Sequence, residues 1–406
     1  MRREIEVSEA QELLLQIPGK PDSEFVPISE ALGRVTAEPV IANLPFPPFD
    51  RSPFDGYALI GKDTVSATPA TPVALAVCRE IPAGHMPEEA VTTGFAAKIL
   101  TGAPIPSGAD AVIKFEDTEF TADEIKVFAP LSADSNIIHA GEDIPAGTEI
   151  LPAGALVGPA SMGLFAAQGL KNVKVFKKPV ISVINTGSEL TEPGKPLPPG
   201  MIYNSSIFTL QGFLTRLGAA FLDGGVVEDD EAAIAARVRE ELAVSDMVLT
   251  TGGVSVGDYD YALAAAERAG ADVLFWKVNM RPGGSLLAYT IDGKLVLGLS
   301  GNPGAAVLGL LLLGLPCIRK LCGRSDVKPE ECIVKLANDM PKASPKKRIL
   351  RGHLEIQNGE ALFVENSGQG GGDISSFVDC DLLAEIPAGS PPMLAGSNVK
   401  AYRVFK

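Results

Sequence analysis

The sequence is poor in the residues that build metal centres and disulfide frameworks. It holds five cysteines in 406 residues (Cys78, Cys317, Cys322, Cys332 and Cys380), and none of them forms a C-x-x-C pair. That scatter supports neither a zinc site nor a disulfide framework, and it leaves a reducing cytoplasm as the default compartment. The three histidines, His85, His139 and His353, are too dispersed for a histidine-based metal centre. Positive charge is also short: 35 Lys and Arg stand against 50 Asp and Glu, for a net charge of -15. Nucleic-acid binding needs clustered cations to neutralise phosphates, so no nucleic-acid partner is expected. One basic cluster, Lys342, Lys346, Lys347, Arg348 and Arg351, departs from this trend, and for most of its members a solvated loop is the simpler reading. Long apolar runs are missing as well. The longest, residues 305–318, falls short of the roughly 20 residues that span a bilayer and reads as a buried helix. The amino terminus is charged, without the apolar core of a signal peptide, so a cytoplasmic chain with no membrane partner is expected.

What is present is an ordinary globular composition, 46% hydrophobic and 21% charged, with 42 glycines and 32 prolines. So many turn residues imply substantial β structure, and the length suggests about three or four domains. Residues 8–16 read as a first helix with Ser8 as its N-cap. Between residues 55 and 136 short strands broken by Gly and Pro suggest a small β-rich domain. A helix is expected near 158–168. Residues 177–323 alternate strands with helices, the helices near 205–217 and 231–243, which means a parallel sheet joined by right-handed crossovers. Beyond residue 323 strand-like segments return at 333–336, 349–356, 361–365 and 382–386, suggesting a carboxy-terminal β-barrel or sandwich.

The most informative stretch is Thr251-Gly-Gly-Val-Ser-Val-Gly257, preceded by an apolar strand and followed by Asp258, Asp260 and an Ala-rich helix. Such a turn leaves backbone N–H groups free at a helix start, where the helix dipole favours an anion such as phosphate. A Ser and two Asp beside those glycines suit a phosphate-and-metal site. The same pattern recurs at Asn185-Thr-Gly-Ser-Glu-Leu190 and at Ser300-Gly-Asn-Pro-Gly304. Ligands in open α/β sheets sit outside the carboxyl ends of the strands, so the three turns are expected to line one pocket. The plainer alternative is three ordinary βα loops without a shared ligand.

Six motifs occur in an order that points to one family. They are Asp50-Arg-Ser-Pro-Phe-Asp-Gly-Tyr-Ala58, Leu100-Thr-Gly-Ala-Pro-Ile-Pro-Ser-Gly-Ala-Asp-Ala-Val112, Gly141-Glu-Asp-Ile144 and the three turns above. Across essentially its full length the chain resembles the MoeA/gephyrin E-domain family of molybdopterin molybdenumtransferases. The resemblance implies an α/β plus β fold: an elongated multidomain chain with a central three-layer α/β molybdopterin-binding domain (177–323). Around it stand a discontinuous N-terminal domain (1–45 and 137–176), a β-rich inserted domain (46–136) and a C-terminal β-barrel domain (324–406). It further implies a homodimer that inserts molybdate into adenylylated molybdopterin with Mg²⁺, releasing AMP and forming molybdenum cofactor. A molybdopterin adenylyltransferase and apo-molybdoenzymes are the implied protein partners.

Carried over residue by residue, the molybdopterin and phosphate positions fall on Thr186, Gly187, Gly252, Gly253, Ser255, Gly257, Gly301, Asn302 and Pro303. The carboxylate handling the adenylate and its magnesium falls on Asp260, with Asp229 as a second metal ligand. Asp55, Asp143 and Glu189 match the remaining catalytic acids, and Thr101 and Lys277 match other cleft positions. From the residues alone, Asp229 or Asp230 could equally cap the following helix, and Asp55 before Gly56 could be a turn residue. The oxyanion positions fall on Arg281, Ser300, Arg351 and Ser375. One departure stands out: where the family reads Lys-Pro-Gly-Lys-Pro, this chain reads Arg281-Pro-Gly-Gly-Ser285, and one cation is lost at Gly284. Besides molybdate transfer, three readings stay open: a tungstate-inserting homologue, a molybdopterin adenylyltransferase, and a non-catalytic binding or scaffold protein.

Overall fold

The computed structural model describes residues 1–17, 19, 21–254 and 261–404. The chain folds as two compact units: residues 1–38, 153–158 and 172–406 form one, and residues 39–152 and 159–171 the other.

The first unit is built on a seven-stranded sheet. Its strands are β1 (Arg2–Ile5), β2 (Val180–Thr186), β3 (Ala220–Val227), β4 (Met247–Thr251), β5 (Asp272–Val278), β6 (Leu287–Ile291) and β7 (Lys294–Leu299), in the spatial order β1-β5-β6-β7-β4-β2-β3. Helices α1 (Val7–Leu14), α2 (Ser206–Arg216), α3 (Glu231–Val244), α4 (Tyr261–Arg268) and α5 (Pro303–Leu321) cover both faces. Side chains alternate across a strand, so neighbouring residues feed opposite layers. Ile181, Val183, Met247, Leu249, Leu295 and Leu297 pack with α1, α2 and α5. Ile184, Val248 and Val296 pack with Ile234 and Val238 of α3 and Ala262 and Ala265 of α4. Each fully buried aliphatic side chain contributes about 1.5–3 kcal/mol. The expected three-layer α/β unit is therefore present.

The sheet is mixed rather than parallel, which corrects the expectation from strand–helix alternation. β6 runs antiparallel to both β5 and β7. Asp292 and Gly293 turn the chain between β6 and β7 with φ of 51° and 77°, the left-handed pair that a two-residue hairpin requires. Residues 2–14 add β1 and α1 to this unit, β1 pairing parallel to β5. The N-cap of α1 is Glu6, not Ser8, and its side chain makes no cap hydrogen bond.

The apolar run at 305–318 lies within α5, which is long and apolar enough to cross a membrane but is 89% buried. Pro316 interrupts it. Proline has no N–H, so the carbonyl four residues earlier loses its helical donor. Buried Gln11 of α1 supplies one instead, its Nε2 donating to the Leu312 carbonyl at 2.7 Å, and the helix takes a π turn over Leu310–Gly314.

The unit ends in a closed barrel of five strands, Glu330–Leu336, Glu360–Glu365, Arg348–Gln357, Leu382–Ile386 and Asn398–Arg403. Val334, Leu350, Phe363, Ala384 and Val399 fill it.

The second unit carries a six-stranded sheet, ordered Ala111–Lys114, Gly56–Leu59, Phe95–Ile99, Val73–Ile81, Glu124–Val127, Thr118–Phe120. Tyr57, Leu59, Leu75 and Ile125 form its core. The helix Pro159–Ala167 belongs to this unit.

Candidate functional site

β2, β4 and β7 run parallel, so the turns after Thr186, Thr251 and Leu299 emerge at the same edge of the sheet. There they touch. A Cβ on Gly252 would lie 2.5 Å from the Thr186 hydroxyl, and one on Gly301 would lie 3.3 Å from the Gly252 Cα. Gly252 and Gly253 have φ of 91° and 65°, a left-handed backbone that glycine adopts without a steric penalty. Thr186 donates its hydroxyl to the Thr251 carbonyl at 3.1 Å, and the Gly252 N–H donates to the Leu299 carbonyl at 3.2 Å.

Beneath these turns lies a buried amide network. The Asn185 Nδ2 donates to the Thr251 hydroxyl at 2.5 Å, and the Asn204 Nδ2 donates to the Asn185 Oδ1 at 3.2 Å. Asn204 in turn accepts from the Ile207 N–H in the first turn of α2 at 3.3 Å. With no exposed surface of its own, Asn185 must satisfy its polar atoms within the protein, so the network fixes the spacing of two turns and a helix start.

The result is a cleft of about 420 Å³. It is lined by Thr186, Gly187, Glu189, Asp229, Gly252, Gly253, Ser300, Gly301, Asn302 and Pro303, ten of the residues expected from sequence. Asn302 occupies the N-cap of α5 without capping it through its side chain, and Pro303 stands in the first turn. The Ser300 hydroxyl accepts from the Asn302 N–H at 3.3 Å. Two carboxylates line it. Glu189 folds over Gly187, whose φ is 140° and whose absent Cβ would sit 2.5 Å from a Glu189 oxygen. Asp230 caps α3, accepting from the Ala233 N–H at 2.8 Å, and Asp229 lines the cleft. Ser255, Gly257 and Asp260 lie outside the described residues.

The oxyanion candidates divide. Ser300 lies in the cleft, whereas Arg281 lines an adjoining pocket that shares only Ser285 with it, and the cleft candidate Lys277 lines that same pocket. Arg351 is a fully buried barrel residue. Its Nη2 donates to the Gly368 and Gly370 carbonyls at 2.9 and 3.1 Å, while Nε and Nη1 have no hydrogen-bond partner among the described residues. Burial away from water pulls its pKa down. The loop that covers it reaches the amino end of α5: the Ala305 N–H donates to the Gly371 carbonyl at 2.8 Å, and a Cβ on Gly304 would lie 2.5 Å from the Asp373 carbonyl. Ser375 is exposed at the far end of this loop, next to Gly368.

In the second unit, Asp55 accepts from the Thr101 N–H at 2.7 Å and from its hydroxyl at 2.8 Å. These two hydrogen bonds, the backbone one foremost, hold its carboxyl below the usual aspartate range. Asp143 is exposed on a turn whose backbone is pinned to the Phe46 carbonyl.

Asn204, Tyr203, Ser206 and Ser285 also line the cleft and were not singled out from sequence as site residues. Only the helix start Asn204-Ser-Ser-Ile hinted at the first group, since Asn and Ser favour that position. Among the described residues no group of three or more His, Cys, Asp or Glu is arranged to hold a metal by itself.

Comparison with known proteins covers the chain end to end. Residues 5–169 match the family model for the MoeA N-terminal region (domain I and II), 182–320 a probable molybdopterin binding domain, and 334–404 the MoeA C-terminal region (domain IV). The molybdopterin molybdenumtransferase of Staphylococcus aureus strain COL is 33% identical over 401 residues, 98% of this chain and 95% of that protein. That of Bacillus subtilis strain 168 is 34% identical over 407 residues, 99% and 95% of the two chains. The crystal structure of a molybdopterin biosynthesis MoeA protein from Pyrococcus horikosii matches with a TM-score of 0.83 at 31% identity, over 99% of this chain and 100% of the other.

Proposed function

Because the chain belongs to the MoeA family, we propose that it acts in molybdenum cofactor biosynthesis as a molybdopterin molybdenumtransferase, inserting molybdate into adenylylated molybdopterin with release of AMP. The observation that carries this reading is the meeting of three βα turns in one cleft. The positive backbone ends at glycine turns and at a helix start favour a phosphate group, and two carboxylates stand beside them.

Thr186, Gly187, Gly252, Gly253, Gly301, Asn302 and Pro303 would cradle the pterin phosphate, together with Ser255 and Gly257. Glu189 and Asp229 offer hard oxygen donors in the same cleft. Such a pair fits Mg²⁺, which binds through one or two carboxylates plus substrate phosphates. When bound, the ion neutralises charge developing on the phosphoanhydride. We assign Asp260 to the same task. The orphaned Nε and Nη1 of Arg351 are donors awaiting an anion, and with Arg281, Ser300 and Ser375 they would hold the oxyanion. Lys277 stands beside Arg281 as a further cation. Asp55, Thr101 and Asp143 would serve substrate held by the other copy of a homodimer. A molybdopterin adenylyltransferase would supply the substrate, and apo-molybdoenzymes would take the product.

The test mixes purified protein with adenylylated molybdopterin, Mg²⁺ and either molybdate or tungstate, and follows AMP. Oxyanion-dependent release is expected, slowed strongly in Asp260→Asn with pterin binding retained. Pterin binding without AMP release in the unaltered protein would leave a scaffold role and end the transferase reading. Normal turnover of Asp260→Asn would remove the metal assignment.

A further inference from the structure

Beside the phosphate cleft lies a second pocket of about 560 Å³, lined by the β5–β6 loop, residues 345–347 of the barrel unit, and Glu4 and Glu6. Four cations face it, Lys277, Arg281, Lys346 and Lys347, against those two carboxylates. With Glu385, which pairs with Lys347, three carboxylates stand against the four cations, and a positive surplus in a chain of net charge -15 suits an oxyanion. Lys347 is engaged, bound to Glu6 at 2.8 Å and Glu385 at 3.3 Å. Lys277, Arg281 and Lys346 form no ion pair among the described residues.

The loop itself has no room for a further cation at position 284. Its backbone is drawn so tightly around Gly284 that a Cβ would lie 2.6 Å from both the Val278 and Met280 carbonyls. Those oxygens belong to the backbone and cannot rotate away, so no lysine fits at position 284. The same loop is sewn to the barrel: the Arg281 N–H donates to the Lys347 carbonyl at 3.0 Å, and the Ile349 N–H donates to the Arg281 carbonyl at 2.9 Å. That stitching carries Lys346 to the pocket rim, and its own carbonyl accepts from the buried Ser344 hydroxyl at 2.7 Å. Ser285 belongs to both pockets, so the cationic pocket adjoins the phosphate cleft.

We propose that Lys346, with Arg281 and Lys277, forms an oxyanion-recruiting site that adjoins the phosphate cleft at Ser285, Lys346 supplying from the barrel the cation that position 284 excludes. The identity of the oxyanion as molybdate or tungstate rests on the transferase reading; the site does not.

Molybdate titrated calorimetrically into the full chain without pterin reads the site directly. Lys346→Ala should weaken binding about tenfold, as expected for one charge-assisted contact, and Lys346→Arg should keep most of the affinity. Lys342→Ala, an exposed lysine four residues earlier that does not line the pocket, should bind as wild type. Gly284→Lys should lower the melting temperature without raising affinity. Equal affinities for wild type and Lys346→Ala, an equal loss in Lys342→Ala, or no molybdate binding by the wild type overturns the inference. Lys346-dependent binding without any AMP release would leave this site standing while the transferase reading fell. AMP release with an unchanged KM for molybdate in Lys346→Ala would do the reverse.

Discussion

Gly252→Ala is the most searching substitution, because Gly252 is where the three turns meet. Its φ of 91° is left-handed, and a Cβ there costs about 1–2 kcal/mol in backbone strain. The new methyl would also lie 2.5 Å from the Thr186 hydroxyl and 2.7 Å from the Thr186 carbonyl oxygen. The hydroxyl can rotate away only by giving up its hydrogen bond to Thr251, worth about 1 kcal/mol. The carbonyl cannot rotate at all, so the β2 and β4 termini must separate, an overpacking cost of about 1–3 kcal/mol. Together these predict a loss of roughly 3–6 kcal/mol. At roughly 2–4 °C per kcal/mol for a large unit, the melting temperature should fall on the order of 10 °C. Gly301→Ala is the control. Its Cβ would meet Gly252 at 3.3 Å from the Cα and 3.8 Å from the N, so stability should change by about 1 kcal/mol or less while pterin binding weakens. Differential scanning calorimetry and a pterin-binding titration on both variants decide the matter. A Gly252→Ala protein melting within about 2 °C of wild type and binding pterin normally would refute the claim that the turns abut.

Other consequences are open to direct measurement. Asp230→Ala should destabilise the protein by about 1 kcal/mol through loss of the α3 cap and keep activity, whereas Asp229→Ala should keep stability and lose activity; the opposite pattern would exchange their roles. Arg351→Lys should raise the molybdate concentration needed for AMP release while the protein stays folded, since a lysine cannot present the paired Nε and Nη1 donors; an unchanged KM for molybdate would contradict this. The lowered pKa of Asp55 means its stabilising hydrogen bonds from Thr101 are fully present above the ordinary value of 3.8 and vanish as pH falls through the lower folded-state value. The difference in melting temperature between wild type and Asp55→Asn should therefore be constant near neutrality and close below about pH 4. A gap that persisted to strongly acidic pH would point to a packing effect instead.

Much of the architecture was legible because periodicity and turn chemistry are local. Apolar strands running into Asn185-Thr-Gly, Thr251-Gly-Gly and Ser300-Gly-Asn announced three βα turns, and the helices near 205–217 and 231–243 appear at Ser206–Arg216 and Glu231–Val244. β6 itself was not read, although Ile291-Asp-Gly-Lys carries a hairpin signal, because strand–helix alternation elsewhere argued for a parallel sheet. β1 escaped notice since Arg2–Ile5 has a single buried residue and depends on β5 for its hydrogen bonds.

By itself the sequence determined the family, the α/β plus β class and the ten residues that share the cleft, because each of those follows from short-range pattern and ordered motifs. Only the tertiary structure decided which of two adjacent aspartates caps a helix and which faces the cleft. It likewise showed that Gln11 answers the carbonyl freed by Pro316, some three hundred positions away in the chain. The cation lost at Gly284 belongs to the same class of question. Whether Lys346 stands near it depends on how a barrel loop is stitched to the β5–β6 loop, a long-range pairing that leaves no trace in local composition.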